Sequence, residues 1–66
     1  MDTANEYPPF VTVLRSCDKF YPAIMEWDKI QERYALSVGY KKKSLHTDAE
    51  INAQALAEKM GLEYRP

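Results

Sequence analysis

The chain is poor in the residues on which most site chemistry is built. A single cysteine, Cys17, excludes an internal disulfide and suits a reducing compartment. With His46 it makes up the whole supply of soft ligands, and a structural zinc centre normally draws four ligands from Cys and His. A metal site within one chain is therefore not expected. Glycine is equally scarce: Gly39 and Gly61 are the only two. Neither the P-loop nor the dinucleotide-binding spacing can be written with them, so no cofactor is expected. No apolar run approaches the roughly 20 residues that span a bilayer. The opening MDTANEYPPF lacks a basic n-region and an apolar h-region, which points away from secretion and towards the cytoplasm. Internal repeats, low-complexity tracts and linkers are missing too, so a second domain is not expected.

What is present fits one small soluble domain. The 66 residues are 45% hydrophobic and 29% charged, and a fold this size buries roughly 60% of its unfolded surface. That leaves little depth for a pocket, and with the missing motifs it argues against an enzyme and against any catalytic residue. Asp18 beside Cys17 disfavours the thiolate that a reactive cysteine needs, with Lys19 and the distant His46 as compensating groups, so Cys17 reads as a packed or incidental cysteine. Glu26, Asp28 and Glu32 read as a solvated rim, not as an acid/base pair.

Residues 1–9 are polar and end in Pro8-Pro9, a flexible lead-in held extended at its end; residues 10–66 form the domain. FVTVLRS, 10–16, is rich in β-branched side chains and reads as a strand. Residues 20–40 carry two periods. With period 3.6, Phe20, Ile24, Trp27, Ile30, Tyr34 and Val38 make one helical stripe. With period 2, Tyr34, Leu36, Val38 and Tyr40 face one way, and Ala23, Met25 and Trp27 alternate before a DKIQE loop. The Tyr, Val, Trp and Ile content favours strands. Thr47 and Glu50 are spaced as a capping box, Gly61 sits where a left-handed C-cap belongs, and Ala49, Ala53, Leu56, Ala57 and Met60 share a face. These place a helix at 48–60, with His46 packing on Ile51 as a staple. The expected fold is α+β: a small antiparallel sheet of three to four strands, residues 10–45, covered by one C-terminal helix, with Trp27, Tyr34 and Tyr40 pressed against it. A small helical bundle is the alternative.

The net charge is −1, but the cations are gathered. Lys29, Arg33, Lys41, Lys42 and Lys43 fall in 29–47 with Glu32 as the one acid there, and both flanking segments are acidic. The lysine run reads either as a guard on an exposed sheet edge or as a phosphate-binding patch. In the second case, about four phosphate contacts would give log K a salt slope near −3 to −4.

Residues 27–60, WDKIQERYALSVGYKKKSLHTDAEINAQALAEKM, resemble the AP2-like modules of plant regulators and phage-type integrase N-termini. The resembling features are Trp27-Asp28-Lys29 near the end of a first strand, Arg33-Tyr34 opening a second, the basic turn Lys41 to Lys43, and the Ser44-x-x-Thr47-x-x-Glu50 helix entry. In those modules a three-stranded sheet reads DNA while a helix supports it. The resemblance implies that Lys29, Arg33, Lys41, Lys42 and Lys43 contact DNA.

The aromatic content suggests a different role. Tyr7, Tyr21, Trp27, Tyr34, Tyr40 and Tyr64 exceed what so small a core can hide, and Trp and Tyr are favoured interface anchors. Tyr7, Tyr21 and Tyr64 are expected at the surface near Glu6, Asp18 and Glu63, as a protein-binding patch. The leading expectation is a non-enzymatic binding protein that docks on a partner protein. By analogy of size and acidity, it would be a regulator or inhibitor of the phage or anti-CRISPR kind. A DNA-binding module is the alternative, and homodimerisation would suit so small a core.

Overall fold

The structure, a computed structural model, describes residues 7–66. Four strands and one helix follow in the order β1 (Phe10–Ser16), β2 (Lys19–Asp28), β3 (Arg33–Gly39), α1 (His46–Met60) and β4 (Glu63–Tyr64). The sheet runs β3-β2-β1-β4. Its first three strands are antiparallel, and β4 lies parallel to β1. The fold is α+β, as expected, and the period-2 reading of residues 20–40 is the one realised. The fourth strand follows the helix, outside the residues 10–45 expected to hold the sheet, and its parallel pairing makes the sheet mixed. It pairs Phe10 with Glu63 and Val11 with Tyr64, and Arg65 N–H donates to the Val11 carbonyl at 2.8 Å.

Pairing fixes which side chains share a face. Val11, Val13 and Arg15 stand opposite Ile24, Pro22 and Phe20, so these point towards the helix. Phe10, Thr12 and Leu14 stand opposite Met25, Ala23 and Tyr21 and point away from it. The helix lies over β1 and β2 and buries Ala49, Ala53 and Ala57. The core is Val11, Ile24, Ala53 and Ala57, with Val13, Leu56, Leu62 and Tyr64 packed around it. An alanine stripe brings a helix close to its sheet, and a close-packed interior then has no room for large rings.

That geometry corrects two expectations. Trp27 and Tyr34 do not press against the helix, and Tyr40 stands on the helix side at the rim of a groove, not in the core. Tyr34 pairs with Trp27 on the far face, and Tyr40 is 39% exposed. The run Tyr34, Leu36, Val38, Tyr40 does not share one face either. Ile24 stands opposite Val38 while Met25 stands opposite Leu36, so one step along β2 spans two along β3. This bulge, with Ser37 as the extra residue, turns Val38 to the helix side and Leu36 to the other.

The capping box is also absent. The helix begins two residues early, its N-cap is Leu45, and no side chain caps it. The first intrahelical bond runs from Ala49 N–H to the Leu45 carbonyl. His46 meets Phe20 edge-on at 5.2 Å, so it makes no staple with Ile51, which is exposed. The C-terminus is as expected. Gly61 takes φ 69°, its N–H donates to the Glu58 carbonyl, and Leu62 N–H donates to the Ala57 carbonyl at 2.8 Å. This is a Schellman closure.

Candidate functional sites: an open sheet face and a lysine-lined groove

One helix covers one face of a sheet. The other face carries a cluster of rings. Tyr7 stacks on Trp27 with centroids 3.8 Å apart and planes 8° from parallel. Tyr34 meets Trp27 edge-on at 5.3 Å and Phe10 edge-on at 4.7 Å. The Arg65 guanidinium lies 4.5 Å above the Phe10 ring, a cation–π contact, and pairs with Glu63 at 3.1 Å. The Tyr34 hydroxyl donates to the Pro8 carbonyl at 3.0 Å. The described part of the lead-in, residues 7–9, is thus held on the sheet; Glu6 lies outside the described residues. Leu36, half exposed, and Met25 extend the apolar surface along β2 and β3. Towards the β1–β2 turn, Tyr21 lies over Gly39, and Lys42 Nζ donates to Ser16 Oγ at 3.4 Å.

Among the residues expected to bind a partner, Tyr7, Tyr21 and Glu63 fall on this open face. Tyr64 faces the helix side, half buried, and its hydroxyl donates to Glu50 Oε2 at 3.5 Å. Burial pushes its phenol pKa up, and the adjacent Glu50 carboxylate adds to the shift. Phe10, Trp27, Tyr34 and Arg65 belong to the open face and were not expected there. A signal for them was present, since β1 and β2 are apolar at both alternating sets while the sequence offers a single helix to cover them.

The helix side carries a second feature. Between α1 and the segment after β3 runs a groove of about 320 Å³, lined by Pro22, Tyr40, Lys41, Lys43, Asn52, Ala55, Leu56 and Lys59. Backbone pairing builds its wall. Tyr40 N–H donates to the Pro22 carbonyl, and Phe20 and Lys43 exchange both hydrogen bonds. From α1, Asn52, Ala55, Leu56 and Lys59 recur at helical spacing along one stripe.

The five cations offered for DNA contact do not gather. Lys29 lies in the β2–β3 loop and Arg33 stands opposite Asp28, whereas Lys43 pairs with Phe20 at the other end of β2. Eight strand residues separate those ends by about 26 Å. Lys41 and Lys43 line the groove on the helix side, and Lys42 reaches the open face. Cys17 is exposed in the β1–β2 turn. Among the described residues, no group of three His, Cys, Asp or Glu side chains could hold a metal ion, and no helix is long and apolar enough to cross a membrane. No protein-family model matches the chain, and comparison with curated proteins and with solved structures gives no significant match.

Proposed function

We propose that the protein is a non-enzymatic binding module that docks a partner protein through the open face of its sheet. One observation carries the reading: Tyr7, Phe10, Trp27 and Tyr34 form a connected ring cluster outside the core, on the face that no helix of the described residues covers. Rings held by stacking lose little freedom on binding and bring large apolar area, which is the make-up of an interface anchor. Charges surround them: Glu63 and Arg65 at the β4 edge, Lys42 near the β1–β2 turn. An apolar centre with a charged rim is the usual anatomy of a docking site. A chain with this one output would act as a regulator or inhibitor by occupying a surface of its partner. The DNA-reading alternative needs its cations together on the open face, and they are divided between two ends and both sides of the sheet.

Photocrosslinking in the producing cell tests the proposal. A benzophenone side chain at Leu36 should give one dominant protein adduct, and the same group at exposed Ile51, on the helix, should not. An adduct of twice the protein's own mass would make the partner a second copy. Equal labelling from both positions, or adducts with nucleic acid alone, would remove the reading.

A further inference from the structure

The lysine-lined groove is separate from the open face and needs its own occupant. We infer that it receives an acidic peptide segment bearing an apolar residue. Lys41, Lys43 and Lys59 bring three ammonium groups to its walls, and no carboxylate of the described residues lines it or pairs with them. In a chain of net charge −1, this is a local field of one sign, and it selects a negatively charged ligand.

The floor defines the rest of the ligand. Pro22, Ala55 and Leu56 are apolar, and the exposed Tyr40 ring flanks them. A bare anion would leave that surface wet; a leucine or phenylalanine side chain would cover it. A volume near 320 Å³ lies at the small end of ligand pockets, which suits one anchoring side chain with carboxylates on either side.

Phosphate groups are the poorer match. Their usual holders are bidentate arginines or the backbone N–H groups of a helix N-terminus. Here the cations are all lysines, point charges on flexible stems, and the helix contributes its middle and last turns. The groove also adjoins β3, an edge strand, whose outward backbone groups can take up an extended segment.

Fluorescence anisotropy with a labelled peptide of alternating glutamate and leucine gives the test. The wild-type protein should bind it, and a glutamate–serine peptide of equal charge should bind markedly less. Lys59→Glu should weaken binding by about twofold to fivefold. Lys41→Glu, Lys43→Glu and Lys59→Glu together should weaken it at least about tenfold. Ala55→Glu, at an exposed floor position outside the core, should do the same. Lys29→Glu with Arg33→Glu changes net charge at the distant end and should leave binding unchanged. The inference is overturned if the wild type does not bind, if the two peptides bind equally, or if the distal pair weakens binding as much as the groove variants. It is also overturned if a single-stranded oligonucleotide binds more tightly than the glutamate–leucine peptide. None of these readouts involves Leu36 or the ring cluster, so either site can fail without the other.

Discussion

Among the described residues, two non-glycine residues hold positive φ, Cys17 at 58° and Glu32 at 55°. Both close hairpins. Cys17 is the first of the two turn residues between the paired Ser16 and Lys19, a position that favours glycine. A left-handed conformation costs an L-residue about 1–2 kcal/mol, and glycine returns part of that gain through its freer unfolded chain. Cys17→Gly should therefore raise stability by about 1 kcal/mol, seen as a melting temperature higher by roughly 4–8 °C. Tyr64 sets a pH dependence. Its phenol pKa is raised in the fold, so the folded state keeps the proton more tightly than the unfolded chain does. That contribution is complete below the unfolded tyrosine pKa and is lost as pH rises through the folded value. Denaturant midpoints should fall more steeply at alkaline pH for the wild type than for Tyr64→Phe, and the two should run parallel at neutral pH.

At the scale of elements, the helix depends on a small-residue face and a glycine end. Ala53 is fully buried against the sheet, and there is no free volume for a branched side chain in a close-packed contact. Ala53→Leu should cost about 1–3 kcal/mol, measured by urea unfolding. At Gly61 a Cβ would meet nothing within 4 Å, while φ is 69°. The cost of Gly61→Ala is then conformational alone, about 1 kcal/mol. These elements show what the sequence made legible. The alanine stripe, Gly61 and the β-branched run 10–16 are local patterns, and each is realised where expected. The helix start was not legible, because the Thr-x-x-Glu spacing suits a cap at Thr47 while backbone pairing of Lys43 with Phe20 delivers the chain to Leu45 ready to turn. Nor was the bulge at Ser37, since a register shift is set between strands and leaves no mark on one strand's alternation. The DKIQE loop concealed its turn in a similar way. It has no glycine, but Asp28 Oδ1 accepts from the N–H groups of Ile30 and Gln31 at 2.9 and 3.3 Å, and Glu32 takes the left-handed position.

For the whole molecule, the proposed docking would divide the work between the two faces of the sheet, one for folding and one for binding. The helix side holds the core, whose largest fully buried side chain is Val11. A core so slight leaves stability marginal. The open side holds the rings, and the molecule's two longer dimensions, 41 and 24 Å, provide room for the roughly 800 Å² that a standard interface buries on each partner. The candidate site is only partly legible in the sequence. Tyr7 and Tyr21 lie on the open face, Tyr21 half buried, whereas the pattern places Trp27 and Tyr34 in the core because rings are ordinarily hidden, and the closeness of the alanine helix keeps them out of it. This division is testable with one residue. Leu36 is 51% exposed on the open face, and it lies outside the core that the helix makes with β1 and β2. Leu36→Glu should leave the urea midpoint within the equivalent of about 0.5 kcal/mol, as exposed substitutions generally do, while a charge set in an apolar interface should cost the complex about 2 kcal/mol or more, near thirtyfold in affinity for the crosslinked partner. If Leu36→Glu instead unfolds the protein, the open face is part of what holds the monomer together. If folding and partner affinity are both unchanged, the docking surface lies elsewhere.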